Sequence, residues 1–249
     1  MNTPASPTPP ASSAPPPGPP VRLLIVDDDP LVRAGLTLML GGDEGIDIVG
    51  EGADGQEAEE LVERLRPDVV LMDIRMPVMD GLTATERLRC RPDAPEVVVL
   101  TTFHADEQVL RAIRAGAAGF VLKDTPPARI VDSVRRVAAG DPVLSPAVTR
   151  QLMARAAGGG NDDRGGRAER ARRRFGQLAE REREVAVAVG RGGSNAEIAG
   201  SLYLSVATVK THVSRILAKL ELNNRVQIAL LVHDAGLLDT DQEDGGGLR

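Results

Sequence analysis

Five short apolar runs alternate with amphipathic stretches between residues 21 and 140, and this alternation limits the possible folds more than any other feature of the chain. Apolar runs of about four to eight residues indicate buried strands, whereas the stretches between them repeat their apolar residues with the period of a helix. Strands that alternate with helices pair in parallel and are covered by helices on both faces. We therefore predict a doubly wound α/β domain with a five-stranded parallel sheet. The runs read VRLLIVDDD, IDIVGEG, DVVLMD, EVVVLTTF and GFVLK.

Several of these runs end in polar residues that a turn does not require. In a parallel sheet the carboxyl ends of the strands share one edge, and ligands of open α/β sheets bind along that edge. An Asp after a strand is often only a turn former or a helix cap, which is the plainer interpretation of Asp73. The polar residues at the predicted strand ends are Asp27, Asp28, Asp29, Asp73, Thr101, Thr102 and Lys123.

Carboxylates that converge on one edge repel one another unless a cation neutralises them. An all-oxygen set of ligands suits a hard ion such as Mg²⁺. A carboxylate beside Mg²⁺, with a hydroxyl and an ammonium able to hold phosphoryl oxygens, can attack phosphorus and form an aspartyl phosphate. This chemistry predicts that Asp73 is a nucleophile supported by a Thr and a Lys at the neighbouring strand ends.

Charge and composition divide the chain into segments. Residues 21–140 hold 14 Lys and Arg against 22 Asp and Glu, residues 155–174 hold 7 against 3, and residues 175–238 hold 7 against 6. A polyanionic partner should therefore meet the second half of the chain. We predict a disordered Pro-rich tail at 1–20, the α/β domain at 21–140, a connecting helix and flexible Gly-rich linker at 141–174, a helical domain at 175–238 and a disordered acidic tail at 239–249.

Turn signals divide the second half into four helices. Ser194 and Ser205 are suitable N-caps for the second and third of them. The short YLS connection between these two helices makes them a helix-turn-helix candidate. The predicted helices cover residues 180–189, 195–202, 206–220 and 225–234.

The third of these helices separates apolar from polar residues. Its polar side contains no acid, which suits a helix that reads base edges in the major groove while Arg and Lys hold phosphates. A merely solvated face is the plainer alternative. The predicted buried stripe is Val206, Val209, Val213, Ile216, Leu217 and Leu220, and the predicted polar side is Lys210, Thr211, Ser214, Arg215 and Lys219.

Four motifs in the first half, VDDDP at 26–30, MDIRMPVMDG at 72–81, LTTF at 100–103 and GAAGFVLKD at 116–124, resemble the receiver domain of bacterial two-component response regulators. The resemblance implies that Asp73 accepts a phosphoryl group from a histidine kinase. The implied metal ligands are Asp27, Asp28, Asp73 and the backbone carbonyl of Arg75; the implied contacts of the phosphoryl group are Thr101 and Lys123, and the implied switch aromatic is Phe120.

The stretch SNAEIAGSLYLSVATVKTHVSRILAKL resembles the DNA-binding domain of the LuxR type. Its pairing with a receiver is typical of the NarL/FixJ class of transcription regulators. The resemblance implies that the fourth helix contributes to dimerisation on DNA. It also implies base reading by Lys210, Thr211 and Ser214 and contacts with the DNA backbone by Ser194, Asn195, Thr208, Arg215 and Lys219.

These features predict a DNA-binding transcriptional response regulator that is switched by phosphotransfer from a sensor histidine kinase to Asp73. The expected cofactor is Mg²⁺, and the expected active form is a homodimer on double-stranded DNA. We expect no enzyme activity. We also expect no membrane association and a cytoplasmic location, because no apolar run is long enough to span a bilayer and the N-terminus lacks a secretory signal. The alternative is a constitutive DNA-binding regulator whose receiver is an unphosphorylated dimerisation module.

Rival classes of protein lack residues that they need. An Asp-nucleophile phosphatase normally offers D-x-D-x-T, and DIRMP has no second Asp at that spacing. The chain has three Phe, one Tyr and no Trp, which are too few aromatic residues for an apolar ligand pocket or for stacking RNA bases. The single cysteine, Cys90, excludes an internal disulfide and a cysteine cluster for zinc.

Overall fold

The computed structural model describes residues 19–91, 93–101, 106–143 and 161–238 of the 249-residue chain. The predicted tails at 1–20 and 239–249, apart from residues 19 and 20, lie outside the described residues. The part of the predicted linker at 144–160 lies outside them as well. Within the described segments, no helix is long and apolar enough to cross a membrane.

The N-terminal half forms a parallel sheet with the strand order β2-β1-β3-β4-β5 and a helix after each strand. This is the doubly wound fold that the alternating sequence pattern predicts, and the prediction is confirmed. The strands are β1 (Val21–Val26), β2 (Ile46–Gly52), β3 (Val69–Asp73), β4 (Glu96–Thr101) and β5 (Gly119–Leu122), and the helices are α1 (Pro30–Leu40), α2 (Gly55–Leu65), α3 (Gly81–Arg89), α4 (Asp106–Ala115) and α5 (Pro127–Ala138).

Each face of the sheet has its own apolar core, because successive strand residues point to opposite faces. In β1, Leu24 and Val26 pack with residues of α2, α3 and α4, whereas Leu23 and Ile25 pack with residues of α1 and α5. All four side chains are fully buried. Burial on both faces explains why the strands read as continuous apolar runs rather than as an alternation of apolar and polar residues.

The C-terminal half forms a helical domain around a third apolar core. The four predicted helices are present as α7 (Glu180–Gly190), α8 (Asn195–Ser201), α9 (Val206–Lys219) and α10 (Arg225–Asp234), and a further helix, α6 (Asn161–Phe175), precedes them. The side chains of Ser194 and Ser205 accept hydrogen bonds from amides in the first turns of α8 and α9, so both predicted caps are confirmed.

Helix α6 corrects the prediction of a flexible linker up to residue 174. Its sequence holds six Arg and shows no apolar periodicity, so no local pattern favours a helix. Tertiary contacts hold it instead. Ala171 is buried in the third core, Arg172 Nε donates to the carbonyl oxygen of Ala235 (2.9 Å), and Arg167 Nε lies 2.8 Å from the Asp234 carboxylate. The helical domain therefore begins before the predicted boundary at residue 175.

One residue of the predicted buried stripe on α9 is exposed, and two others, Val213 and Leu217, are partly buried. Val209 and Ile216 are completely buried, whereas Val206 is 44% exposed at the first position of the helix. The third core includes the neighbouring Leu204 and Val209 but not Val206. The apolar period of the sequence is therefore right for the later turns of α9 and wrong for its first residue.

Candidate functional site

Asp27, Asp73 and Lys123 meet at the carboxyl edge of the sheet. Asp27 follows β1, Asp73 is the last residue of β3, and Lys123 follows β5. Lys123 Nζ lies 2.6 Å from Asp27 Oδ2 and 3.2 Å from Asp73 Oδ1. Asp27 is fully buried and Asp73 is 6% exposed. The fold therefore brings together two carboxylates and an ammonium that lie far apart in the sequence.

The site holds more negative than positive charge. Burial raises the pKa of the Asp73 carboxyl above its ordinary value; the Lys123 ammonium opposes this rise, and the charge of Asp27 adds to it. Burial by itself lowers the pKa of Lys123, but its hydrogen bonds and ion pairs with the two carboxylates outweigh burial and raise that pKa. One ammonium thus serves two buried carboxylates, and a further cation would relieve their repulsion.

The acidic residues are placed to hold such a cation. One oxygen each from Asp27, Asp28 and Asp73 lies within 4.8 Å of the others. Asp28 is exposed, so the cluster opens to solvent on one side. Asp27 Oδ2 is buried and, apart from its ion pair with Lys123, has no hydrogen-bond partner among the described residues. A buried carboxylate oxygen whose one charged partner is shared with a second carboxylate suits a hard divalent ion such as Mg²⁺.

The loops beside this cluster are shaped by helix caps. Asp29 does not belong to the acidic cluster because its side chain caps α1. Asp80 caps α3 by accepting hydrogen bonds from two amides of its first turn (3.0 and 2.8 Å). A Cβ on Gly81 would lie 1.8 Å from the carbonyl oxygen of Asp73, so only glycine fits here. The DG pair therefore holds the exposed loop that contains Arg75 close to the end of β3.

Thr101 and Phe120 lie on the neighbouring strands. Thr101 is the last residue of β4 and is 3% exposed. Its carbonyl oxygen accepts a hydrogen bond from the Lys123 amide (2.9 Å), which ties the ends of β4 and β5 together. Phe120 is also 3% exposed and belongs to the apolar cluster that includes Val109 and Ile113 of α4. The aromatic that the resemblance implies as the switch is therefore buried in this structure.

The side chains predicted to read bases, Lys210, Thr211 and Ser214, are all exposed on α9. Arg215, which is predicted to contact the DNA backbone, is exposed beside them. The hydroxyls of Thr211 and Ser214 donate to carbonyl oxygens one turn earlier (both 3.0 Å), so their oxygens can still accept a hydrogen bond. Thr208 is partly buried, and its hydroxyl lies 2.8 Å from that of the cap residue.

Two residues predicted to contact the DNA backbone have partners within the helical domain. Lys219 Nζ lies 3.1 Å from Glu182 Oε2, and the same carboxylate accepts a hydrogen bond from the Ala179 amide (2.8 Å). The bond from Ala179 and the bond from Lys219 lower the pKa of Glu182. The Ser194 amide donates to Glu197 Oε2 (2.7 Å), which completes a capping box on α8.

Asn195, also predicted to contact the DNA backbone, is 3% exposed and faces the N-terminal domain. Its amide donates to Asp141 Oδ1 (3.0 Å), and its side chain donates to the carbonyl oxygen of Ala139 (2.7 Å). Arg225 Nη1 donates to Asn195 Oδ1 (2.5 Å) and lies 3.7 Å from Asp141. Burial lowers the pKa of Arg225, and Asp141 opposes that effect. Asn195 is therefore inaccessible to DNA in this arrangement.

The start of α10 caps the end of α4. Asn224 Nδ2 donates to the carbonyl oxygens of Ile113 (2.9 Å) and Ala117 (2.8 Å), and Gln227 Nε2 donates to that of Ile113 (2.9 Å). The Ile113 carbonyl lies in the last turn of α4 and also accepts from the Gly116 amide (3.2 Å), and the Ala117 carbonyl lies just beyond that helix, so these side chains add donors where the hydrogen bonds of the helix end. Val226 is buried in the apolar cluster that α4 forms with the sheet.

Part of α9 also faces the N-terminal domain. Lys210, Ser214 and Leu217 line a groove between the domains, and its other wall includes Glu96 and Gly140. Lys210 Nζ lies 3.4 Å from the carbonyl oxygen of Ala138. The groove is therefore lined by residues from the side of α9 that is predicted to read bases.

The residues at this domain boundary were missed by sequence reasoning. Asp141 lies in the predicted linker, Asn224 lies between the third and fourth predicted helices, and Arg225 lies in the fourth, whose implied role is dimerisation. One signal was available. The buried apolar residues of α10 are Val226, Ile228, Leu231 and Val232, which lie around much of the helix and indicate packing on more than one side.

Comparisons with known proteins cover both domains. The sequence model of the response regulator receiver domain matches residues 23–135, and that of the bacterial regulatory proteins of the luxR family matches residues 176–232. Response regulator protein VraR of Staphylococcus aureus (strain Mu3) is 35% identical over 212 residues, which cover 85% of this chain and 96% of VraR. VraR of Staphylococcus epidermidis gives the same figures.

A solved structure agrees with these sequence matches. The crystal structure of a LuxR-family two-component response regulator from Aurantimonas sp. SI85-9A1 is 31% identical and covers 55% of this chain and 99% of its own, with a TM-score of 0.52. The two matched segments coincide with the domain of the acidic cluster and with the domain of the helix-turn-helix. The chain thus belongs to the two-component response regulators in which a receiver domain precedes a LuxR-type helix-turn-helix DNA-binding domain.

Proposed function

We propose that phosphotransfer from a histidine kinase to Asp73 switches this regulator between a form that withholds its DNA-binding helix and a form that presents it. The observation that carries the proposal is the placement of the buried Asp73 carboxylate beside Asp27, Asp28 and the Lys123 ammonium. The kinase, the double-stranded DNA and the cytoplasmic location remain predictions from the sequence and its resemblance.

Asp73 would attack phosphorus in its ionised form, as a carboxylate. One of its oxygens would bond to phosphorus while the bond from phosphorus to the histidine nitrogen of the kinase breaks, and that nitrogen would keep the electron pair. Mg²⁺ would be held by Asp27, Asp28, Asp73 and the carbonyl of Arg75, and when bound it would neutralise negative charge on the phosphoryl oxygens. Lys123 lies 3.2 Å from Asp73 Oδ1, so its ammonium would be close enough to bind an oxygen of the phosphoryl group on Asp73.

Contacts between the domains support a DNA-withholding role for the arrangement described. Asn195 is buried against Ala139 and Asp141, and Lys210 and Ser214 line the groove between the domains. A recognition helix must enter a major groove about 12 Å wide, which leaves no room for a receiver on the same side of the helix. DNA and the receiver would therefore compete for α9.

The route from the phosphoryl group to this boundary would run through α4. Phe120, α4 residues Val109 and Ile113, and Val226 of α10 belong to one apolar cluster. If Thr101 is drawn toward the phosphoryl group, the space beside Phe120 changes and α4 is expected to shift. The carbonyls of Ile113 and Ala117 would then move out of hydrogen-bonding distance of the Asn224 side chain. Release of Asn224 would free α9 and also α10, on which the dimer is predicted to form.

The experiment compares wild type with Asp73→Asn. The full chain is incubated with acetyl phosphate and Mg²⁺, and its dimerisation and its affinity for a specific duplex are measured before and after. We expect both to increase in wild type, whereas Asp73→Asn should stay folded and show no response. An equal response in Asp73→Asn, or no response in wild type despite detectable phosphoaspartate, would favour the constitutive alternative.

A further inference from the structure

We propose that Val206 reads the C5 methyl group of a thymine at the leading end of α9, one turn ahead of Lys210. The inference rests on the proposed reading of DNA by α9 and adds an apolar contact that determines specificity. The base-reading set implied by the sequence resemblance is Lys210, Thr211 and Ser214, and it contains no apolar residue.

Val206 is an apolar side chain that the fold leaves in solvent. It is 44% exposed even with the receiver in contact with α9, and it lies outside the third core. Among the described residues of the DNA-binding domain, Tyr203 is the other large apolar side chain with high exposure, at 95%. Tyr203 stands at φ 54 in the turn that ends α8, so the turn accounts for its position. No comparable local requirement accounts for an exposed Val at the start of α9.

Helical geometry places Val206 beside the residues that α9 is proposed to use on DNA. Residues four apart are neighbours on a helix surface, so Val206, Lys210 and Ser214 form one row along α9. The first residues of a recognition helix point at base edges. A helical turn rises about 5.4 Å and successive base pairs about 3.4 Å. Val206 is therefore expected to meet a base one or two steps from the base that Lys210 reads.

The chemistry of the helix end selects the base. In the major groove only thymine presents a methyl group, whereas the other bases present hydrogen-bond donors and acceptors alone. The polar groups beside Val206 are already engaged: Ser205 Oγ accepts from the Thr208 amide (3.0 Å) and lies 2.8 Å from Thr208 Oγ1. The first turn thus offers DNA a branched apolar side chain next to a satisfied cap, which fits a thymine methyl.

The test uses the full chain with acetyl phosphate and Mg²⁺, a duplex selected from a random library, and deoxyuridine, which is thymidine without the methyl group. Each thymine of the selected site is replaced in turn and the Kd is measured. We expect one position in each half-site to lose affinity about fourfold, the factor expected for the burial of one methyl group. Val206→Ala should bind more weakly and be insensitive to deoxyuridine at that position.

Val206→Thr is the matched control, because it keeps the branched shape and one methyl group and should retain the sensitivity. Both variants should unfold at the wild-type temperature, since Val206 lies outside the core. Undiminished sensitivity in Val206→Ala, or no sensitive thymine in wild type, would overturn the inference while DNA binding stands. Recovery of no bound duplex from the library would instead overturn the proposed function, and the inference with it.

Discussion

The receiver and the DNA-binding domain place their charged groups in opposite ways. The receiver buries Asp27 and Asp73 at the ends of neighbouring strands and neutralises them in part with Lys123. The DNA-binding domain instead displays Lys210 and Arg215 on the surface of one helix. A buried cluster acquires its chemistry from the fold of one domain. The accessibility of an exposed helix face depends instead on which part of the protein packs against it.

The boundary between the domains follows neither pattern. Arg225 is a buried cation with Asp141 as its acidic neighbour, and Asn195 and Asn224 are buried amides whose partners lie across the boundary. Breaking such contacts costs little compared with unfolding either domain, because the exposed groups regain water. The proposed switch would therefore act at the boundary, whose contacts can break while both domains stay folded.

The largest expected effect is on the receiver cluster. Lys123→Met should lower the free energy of unfolding by about 2 kcal/mol, less than for a fully buried pair because Lys123 is partly exposed. Urea denaturation of the full chain without Mg²⁺ measures it, and addition of Mg²⁺ should restore part of the loss. Arg129→Met, which removes an exposed cation from α5, is the control and should change stability little. Equal losses in the two variants would mean that the cluster is not held by this ammonium.

The affinity of α9 for a specific duplex should depend on the Lys210 side chain more than on the total positive charge of the helix. Lys210→Ala should cost on the order of 1 to 3 kcal/mol on a specific duplex and much less on random DNA. Lys219→Ala is the matched variant, and because its ammonium is shared with Glu182 it should weaken all sequences slightly and alike. Titrations over a range of salt concentrations separate the two effects. Equal losses on specific and random DNA for both lysines would contradict the assigned roles.

The boundary can be opened without touching either site. Asn224→Asp keeps the acceptor that caps α10 but replaces the amide that donates to Ile113 and Ala117 with a carboxylate. The closed form should lose about 1 to 2 kcal/mol, which raises the DNA affinity of the unphosphorylated chain roughly tenfold. A gel-shift titration in the absence of acetyl phosphate measures this rise. An unchanged affinity would show that the boundary does not restrain α9.

The smallest effect concerns pH and the DNA-binding domain alone. The Ala179 amide and Lys219 lower the pKa of Glu182 from an ordinary value of 4.5, so the folded state favours the ionised carboxylate. Its contribution is present above that value and is lost as the pH falls through the lowered pKa. Glu182→Gln keeps an acceptor but no charge. Its unfolding temperature should lie slightly below that of wild type at neutral pH and converge with it in acid, and a gap independent of pH would refute the assignment.

How much of the structure could be predicted from the sequence depended on how far apart in the chain the interacting residues lie. Continuous apolar strands and Asp caps act locally, so the fold and the meeting of Asp27, Asp73 and Lys123 could be predicted from strand ends. Helix α6 has no local signal, because Ala171 and Arg172 hold it through contacts with the rest of the domain. The contacts of Asn195, Arg225 and Asn224 depend on how two domains pack, which no periodicity encodes. Val206 was misassigned because apolar spacing cannot show where a core ends.

Amide hydrogen exchange at Asn195 tests the central claim most directly. This amide donates across the boundary to Asp141 (3.0 Å), whereas the Glu197 amide donates to Ser194 Oγ (3.2 Å) within α8 and serves as an internal reference. If phosphorylation of Asp73 opens the boundary, acetyl phosphate with Mg²⁺ should speed exchange at Asn195 in wild type, leave Glu197 unchanged, and change neither in Asp73→Asn. Equal protection of Asn195 in the phosphorylated and unphosphorylated wild type would contradict the claim that phosphorylation releases α9 from the receiver.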